Sequence, residues 1–321
     1  MFAPSRFRAL APFTVLALTV FAAPRPARAE GEAIRLVRRG KAGDAYKYQI
    51  TTHDKGELDM SSSPDPLLQD ITRSETVLQK FLGLSKDGTL RIETRRVSGT
   101  KKDVQPEKTT AETLPPFDVI FNSTPDKTNW TAKALPLPVA TGKPKPLSAA
   151  AINAALKDAA SFFNEPPFPT RLLRVGDTWA GVYPKNPYNK AIADDKDWPF
   201  TATLRAIETH RGVPCAKVTY IAAYKGDQAS FRANIMKTAP EGSEMTGESE
   251  INLTGTAYYS LDRGEIIDSA AQIKVKYKYK VGVKIEGLDD LRVIDVEGEG
   301  NVDSSETALT FPAYDASLRG K

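Results

Sequence analysis

The chain has one cysteine, Cys215, and two histidines, His53 and His210, among its 321 residues. A single cysteine excludes an intrachain disulfide, so stability has to come from packing. Two histidines and no clustered Cys/His spacing leave no zinc pattern. No glycine-rich turn joins a strand to a helix, so a phosphate-cradling loop is also missing. Downstream of the amino terminus there is no apolar run approaching the roughly 20 residues a membrane-spanning helix needs. These shortages leave little room for nucleotide, zinc or disulfide chemistry.

The first 29 residues carry a compartment signal. Arg6 and Arg8 precede an apolar run from Ala9 to Ala23, and Ala27-Arg28-Ala29 stands before Glu30. A basic start, a short apolar stretch and small residues at the cut make a secretory signal peptide. We expect cleavage between Ala29 and Glu30, giving a periplasmic or secreted protein. Glu30 also replaces the cysteine that lipid anchoring would need. The precursor's net charge of +4 then belongs to the leader, because Arg6, Arg8, Arg25 and Arg28 account for the whole excess of 44 basic over 40 acidic residues. A neutral mature chain offers no general argument for nucleic-acid binding.

Period-two alternation of apolar and polar residues runs through most of the remaining chain and predicts strands. They are expected at 34–38, 45–52, 76–85, 89–97, 117–121, 179–183, 200–209, 213–224, 246–261, 265–283 and 291–296. Three glycine-ended turns, Lys86-Asp87-Gly88, His210-Arg211-Gly212 and Asp262-Arg263-Gly264, suit three-residue hairpins. In the last hairpin this register opposes Tyr259 to Ile267, Leu253 to Ile273 and Ile251 to Val275, and on the other face Glu250 to Lys276 and Glu248 to Lys278. The first sets Leu84 against Leu90 and Leu82 against Ile92. The middle one sets Leu204 against Val218 and Ala206 against Ala216.

One amphipathic helix is predicted over 148–163, with Ser148 as N-cap and Ile152, Ala155, Leu156, Ala159 and Phe163 on one face. Prolines fence it on both sides. The fold class is therefore mainly β: long antiparallel strands in a curved open half-barrel or two packed sheets, with this helix across the concave face. The mature chain is either one β-rich domain over 30–321 or two lobes, 30–133 and 148–321, joined by the proline-rich segment 134–147.

Candidate chemistry is sparse. His53, Asp54 and Ser61 to Ser63 resemble a triad only in composition, and a polar loop closed by Pro64 and Pro66 explains them better. Asn186, Asn189, Asp194, Asp195 and Asp197 form an oxygen-rich loop without the spacing of a calcium hand. Lys274, Lys276, Lys278, Lys280 and Lys284 share one strand face, which could meet an anionic surface, although a solvated outer face demands the same pattern.

The runs Leu173-Arg174-Val175-Gly176-Asp177-Thr178-Trp179, Gly212 to Val218 and Gly255 to Gly264 resemble segments of uncharacterised secreted bacterial β-rich proteins with a lipoprotein-carrier-like half-barrel. The resemblance covers about residues 170 to 285 and implies a fold; it transfers no functional residue. The expectation is a non-enzymatic envelope protein, without cofactor or metal, that binds an apolar ligand or lipidated partner. Ile152, Leu156, Phe163, Trp179, Tyr277 and Tyr279 are the candidate ligand-binding residues. The alternatives are a structural or protein-interaction module with a filled core and, less favoured, a hydrolase.

Overall fold

The computed structural model describes residues 33–137, 146–160, 165–184, 197–228, 232, 236, 239–284 and 291–319. The expected leader and its cut, Phe163, and most of the oxygen-rich loop lie outside the described residues.

Among the described residues, twelve strands form one antiparallel, unclosed sheet. They are β1 (Ala45–Met60), β2 (Leu67–Leu84), β3 (Leu90–Val104), β4 (Thr109–Thr113), β5 (Asp118–Ser123), β6 (Trp130–Ala134), β7 (Thr178–Val182), β8 (Pro199–His210), β9 (Val213–Gly226), β10 (Glu244–Ser260), β11 (Ile266–Lys284) and β12 (Leu291–Thr310). The order across the sheet is β6-β5-β3-β2-β1-β12-β11-β10-β9-β8-β7, with β4 paired to β3. The mainly β, curved open half-barrel with a helix is therefore as expected from the sequence. Trp130 of β6 and Trp179 of β7, from opposite ends of that order, enter the same apolar core. The sheet curls towards its inner face to bring them there.

Long strands can curl this far because bulges add local twist. Each of the three hairpins with a glycine-ended turn carries at least one, and each shifts part of the expected register by a residue. Leu84 faces Leu90 as expected, but Leu82 is bulged out and Phe81 takes the place opposite Ile92. Leu204 faces Val218, but Arg205 bulges and Ile207, not Ala206, faces Ala216. Ile251 faces Val275, Leu253 faces Ile273, and Glu250 and Glu248 face Lys276 and Lys278, whereas a bulge after Tyr258 sets Tyr259 against Ile266 rather than Ile267.

Turn chemistry explains two of these shifts. His210 pairs with Val213, so the loop is the two residues Arg211 and Gly212, with φ of 50° and 80°. Two left-handed residues make the hairpin turn whose twist matches its strands, tighter than the three-residue turn expected. At the other end, Ser260 donates to Glu265 O at 2.9 Å, leaving a four-residue loop from Leu261 to Gly264. That loop is buried. Gly264, at φ 65°, lies so close to the Val37 carbonyl that a Cβ there would overlap it.

Val37 belongs to a segment expected to be a strand. It makes one bridge instead, Ile34 to Leu173, and then crosses the β10–β11 turn, where Arg39 N donates to Arg263 O at 2.8 Å. Ile34, Leu36 and Arg38 are all buried along it. The expected polar loop after residue 52 is also absent, because β1 continues through His53 to Met60. Likewise β12 runs 14 residues beyond Val296, to Thr310. In both, serine, threonine, glycine and charge dilute the apolar period without ending the ladder.

The helix, α1 (Ala149–Ala160), packs against β5 and β6. Ser148 caps it, its Oγ accepting from Ala151 N at 3.2 Å. Its Asp158 meets Arg96, which also holds Glu75 at 2.6 Å and the Pro115 carbonyl at 2.7 Å. That arrangement ties the helix to the inner face of β2 and β3.

Candidate functional site

The two faces of the central strands differ in kind. On the outer face, the lysines of β11 stand between acids of both neighbours: Lys276 between Glu250 and Glu299, Lys278 between Glu248 and Glu297. Lys278 and Lys280 are 80% and 70% exposed, while Tyr279 beneath them is 2% exposed. The ladder is solvated and flanked by opposite charge on both sides. Two open depressions on this face, about 530 and 1110 Å³, share Glu57, Lys276 and Glu299 in their linings.

The inner face carries ionisable groups that are far less hydrated. Glu306 of β12 sits between Ser269 of β11 and Ile50 of β1, two residues before buried Ala308. The next row inward is Gly255, Ala271, Ser304 and Thr52, all half-buried. Gly255 has no side chain because the Tyr220 ring occupies that space. The small side chains of Ala271, Ser304 and Thr52 leave their part of the row accessible.

Two ion pairs lie within electrostatic reach of Glu306. Arg38 Nε meets Glu265 Oε1 at 2.5 Å, and Lys127 Nζ meets the Glu165 carboxylate. Lys127 lies in the β5–β6 turn with φ 62°, an uncommon conformation for a residue with a Cβ. Its ammonium is 4.5 Å from the centre of the Phe168 ring and 4.7 Å from that of Tyr259, a cation held between aromatic faces.

Burial controls the protonation of the group. It lowers the Lys127 ammonium, a shift that Glu165 opposes, and raises the Glu265 carboxyl against the pull of Arg38. Arg38 is held charged: burial opposes its charge, but Glu265 and Glu165 outweigh it. Glu306 is pushed up to about 8, by burial first and by Glu165 and Glu265 after it. The hydroxyls of Tyr48, Tyr183, Tyr220 and Tyr259 are all raised by burial, with Glu165 a further cause in each. Three carboxyls, two cations and four tyrosines thus share one chamber. Such clusters of perturbed groups concentrate at functional sites.

Apolar side chains continue from the chamber along the same face. Tyr224, Ile251 and Val275 form a buried cluster, with half-buried Trp198, Ile273 and Tyr277 against it. Beyond them Met245, Tyr279, Val281 and Val296 form another.

The five candidate ligand residues among the described ones occupy different parts of this frame. Ile152 and Leu156 pack into the main core from α1, and Trp179 joins the same core, its indole donating to the Pro167 carbonyl at 3.0 Å. Tyr277 borders both smaller clusters. Tyr279 is buried and its hydroxyl meets Ser249 Oγ at 3.0 Å and Gln228 N at 2.9 Å. The chamber residues were not singled out from sequence. Glu306 had one available signal, the inward phase it shares with Ala308.

Both histidines face outward, each bonded to an aspartate: His53 to Asp70 at 2.9 Å, His210 to Asp268 at 3.1 Å. Asp54 points to the opposite face from His53, and Ser61 lies just past the end of β1, eight residues from His53 and roughly 26 Å away at strand rise. The triad-like composition is not brought together. Cys215 is fully buried, and burial pushes its thiol up to about 12. Among the described residues no group of three or more His, Cys, Asp or Glu is placed to hold a metal, and no helix is long and apolar enough to cross a membrane.

The fold and chamber define the class: an open antiparallel half-barrel with ionisable groups in its hollow. No family model and no curated protein matches the chain. Among solved structures, it is matched to a DUF1329 family protein from Desulfovibrio piger at 10% identity and TM-score 0.14, over 84% of this chain and 91% of that one. Agreement at that level carries no argument about activity.

Proposed function

We propose that the protein is an exported, non-enzymatic binding protein of the cell envelope that holds an apolar ligand or a lipidated partner against the inner face of its half-barrel. The observation that carries this reading is the sequence of surfaces on that face: a polar chamber around Glu306, a half-buried row of Gly255, Ala271, Ser304 and Thr52, and then the half-buried Ile273, Tyr277 and Trp198. A molecule with one polar end and an apolar body matches that order. Non-catalytic use is supported by the state of the reactive side chains. Cys215 is buried as a thiol, and both histidines are engaged on the outer face.

Native mass spectrometry of the protein isolated from the envelope of an exporting cell tests the reading. A bound apolar mass that reappears after delipidation and incubation with total lipid is expected. An empty protein that takes up nothing overturns it.

A specific feature of the outer face favours a second reading, a protein-interaction module. Glu57 directly faces Glu299, and Asp59 faces Glu297. Like charges in register disfavour their own pairing, and a cationic partner surface would relieve them. Capture of a partner that is released by salt, with no bound lipid, would support this reading instead.

A further inference from the structure

We propose that the outer face over the β1–β12 ladder docks an extended, basic segment of a partner protein, with lysine or arginine at every second position. The inference rests on the protein-interaction reading above and is independent of what the inner face holds.

Strand register sets this ladder apart. From β9 to β12 the charged residues that face one another on the outer surface are of opposite sign: Glu250 faces Lys225 and Lys276, and Lys278 faces Glu248 and Glu297. At the next step, from β12 to β1, the rule reverses twice running, with Glu299 against Glu57 and Glu297 against Asp59. Like charges in register cost the ladder stability. The lysines of β11 do not relieve them. Lys278 reaches Glu297 at 3.5 Å, but β1 lies two strand spacings from β11, about 9.6 Å away. Glu57, Asp59 and Glu299 are exposed, and none forms an ion pair with a described residue.

Spacing along the strands selects the form of the cation. Alternate residues of a strand lie about 6.6–6.8 Å apart, so Glu57 and Asp59 on β1, and Glu297 and Glu299 on β12, present carboxylates at the repeat of an extended peptide. A chain laid along the ladder with a cation at every second residue meets an acid at each. A single metal ion does not suit the arrangement, since among the described residues no three acids are placed to hold one.

The surface also has room and an apolar wall. The depressions of about 530 and 1110 Å³ meet at Glu57, Lys276 and Glu299, and the smaller continues past Asp59 and Glu297. The larger is bounded by Val104 and Pro106 of the β3–β4 turn and by Leu68, which faces Glu57 and is 44% exposed. Aliphatic surface beside carboxylates suits lysine and arginine, whose stems pack on apolar groups while their heads stay in water.

Fluorescence anisotropy of the purified protein at low salt, with short capped and dye-labelled peptides, tests the proposal. The probes are lysine alternating with threonine, the same residues with the lysines contiguous, and glutamate alternating with threonine. The alternating lysine peptide should bind saturably, about tenfold more tightly than the contiguous one, and be released by about 0.5 M salt. The glutamate peptide should not bind. Glu57→Gln with Glu299→Gln should weaken the alternating lysine peptide by about tenfold, the weight of two exposed ion pairs. The same double variant should unfold at a slightly higher urea concentration than the native chain, because a like-charge pair is gone, which also shows that it folds. Equal binding of the two lysine peptides, full binding by the double variant, or displacement of the peptide by calcium at constant ionic strength overturns the extended-segment assignment. Binding of cytochrome c, a folded basic protein, by a chain that ignores both lysine peptides would keep the cationic partner and overturn its extended form. A chain that binds none of these probes overturns the interaction reading as well.

Discussion

The guanidinium of Arg38 meets the carboxylate of Glu265 at 2.5 Å with both side chains almost wholly buried, at 3% and 2% exposure. The contact ties the segment after Ile34 to the β10–β11 turn. Around it Arg263 holds Asp44 at 2.9 Å and contacts Asp262. A pair buried this deeply leaves an uncompensated charge when one partner is removed.

Arg38→Met should therefore destabilise the protein by about 3–5 kcal/mol, and Arg38→Met with Glu265→Leu should recover much of that loss. Urea unfolding of the two single variants and the double variant measures the coupling. Strictly additive losses would mean that the pair does not hold the segment.

Stability should also depend on Glu306. Its folded-state pKa, about 8, lies above its ordinary carboxyl value of 4.5, so between these values the folded state binds a proton that the unfolded state has lost. The contribution is present below 4.5 and fades as pH rises towards 8, by at most about 1.4 kcal/mol per pH unit. Glu306→Gln should flatten the urea midpoint across pH 5–8 relative to the native chain. An unchanged pH profile would remove the raised carboxyl.

Cys215, buried and with its thiol raised to about 12, should react with maleimide only when the fold opens. Its labelling rate should climb with urea in step with unfolding. Rapid labelling of the native protein would place the thiol at the surface.

The sequence made the sheet readable because its longest strands alternate cleanly. Ile273 to Val283 put apolar side chains inward at every second position, and the Glu248–Lys278 and Glu250–Lys276 pairs follow from the same register. Near the turns the reading slipped by one residue, since Leu82 and Arg205 are ordinary residues that bulge to let the sheet curl. The chamber was hidden for another reason. Arg38, Lys127, Glu165, Glu265 and Glu306 come from five separate places in the chain, and a charged residue in a strand reads as an outward one. Their burial depends on partners that only the folded topology supplies. Trp198 lies beside the apolar cluster next to the chamber.

That position makes Trp198 the reporter for the central claim, that an apolar body lies on the inner face. Its fluorescence can be separated from that of Trp130 and Trp179 with single-tryptophan variants. Titration with a bromine-labelled decanol should quench Trp198 saturably, with decanol competing and the other two tryptophans, both packed in the main core, affected far less. Quenching that never saturates, or that falls on Trp130 and Trp179 while sparing Trp198, would contradict the account.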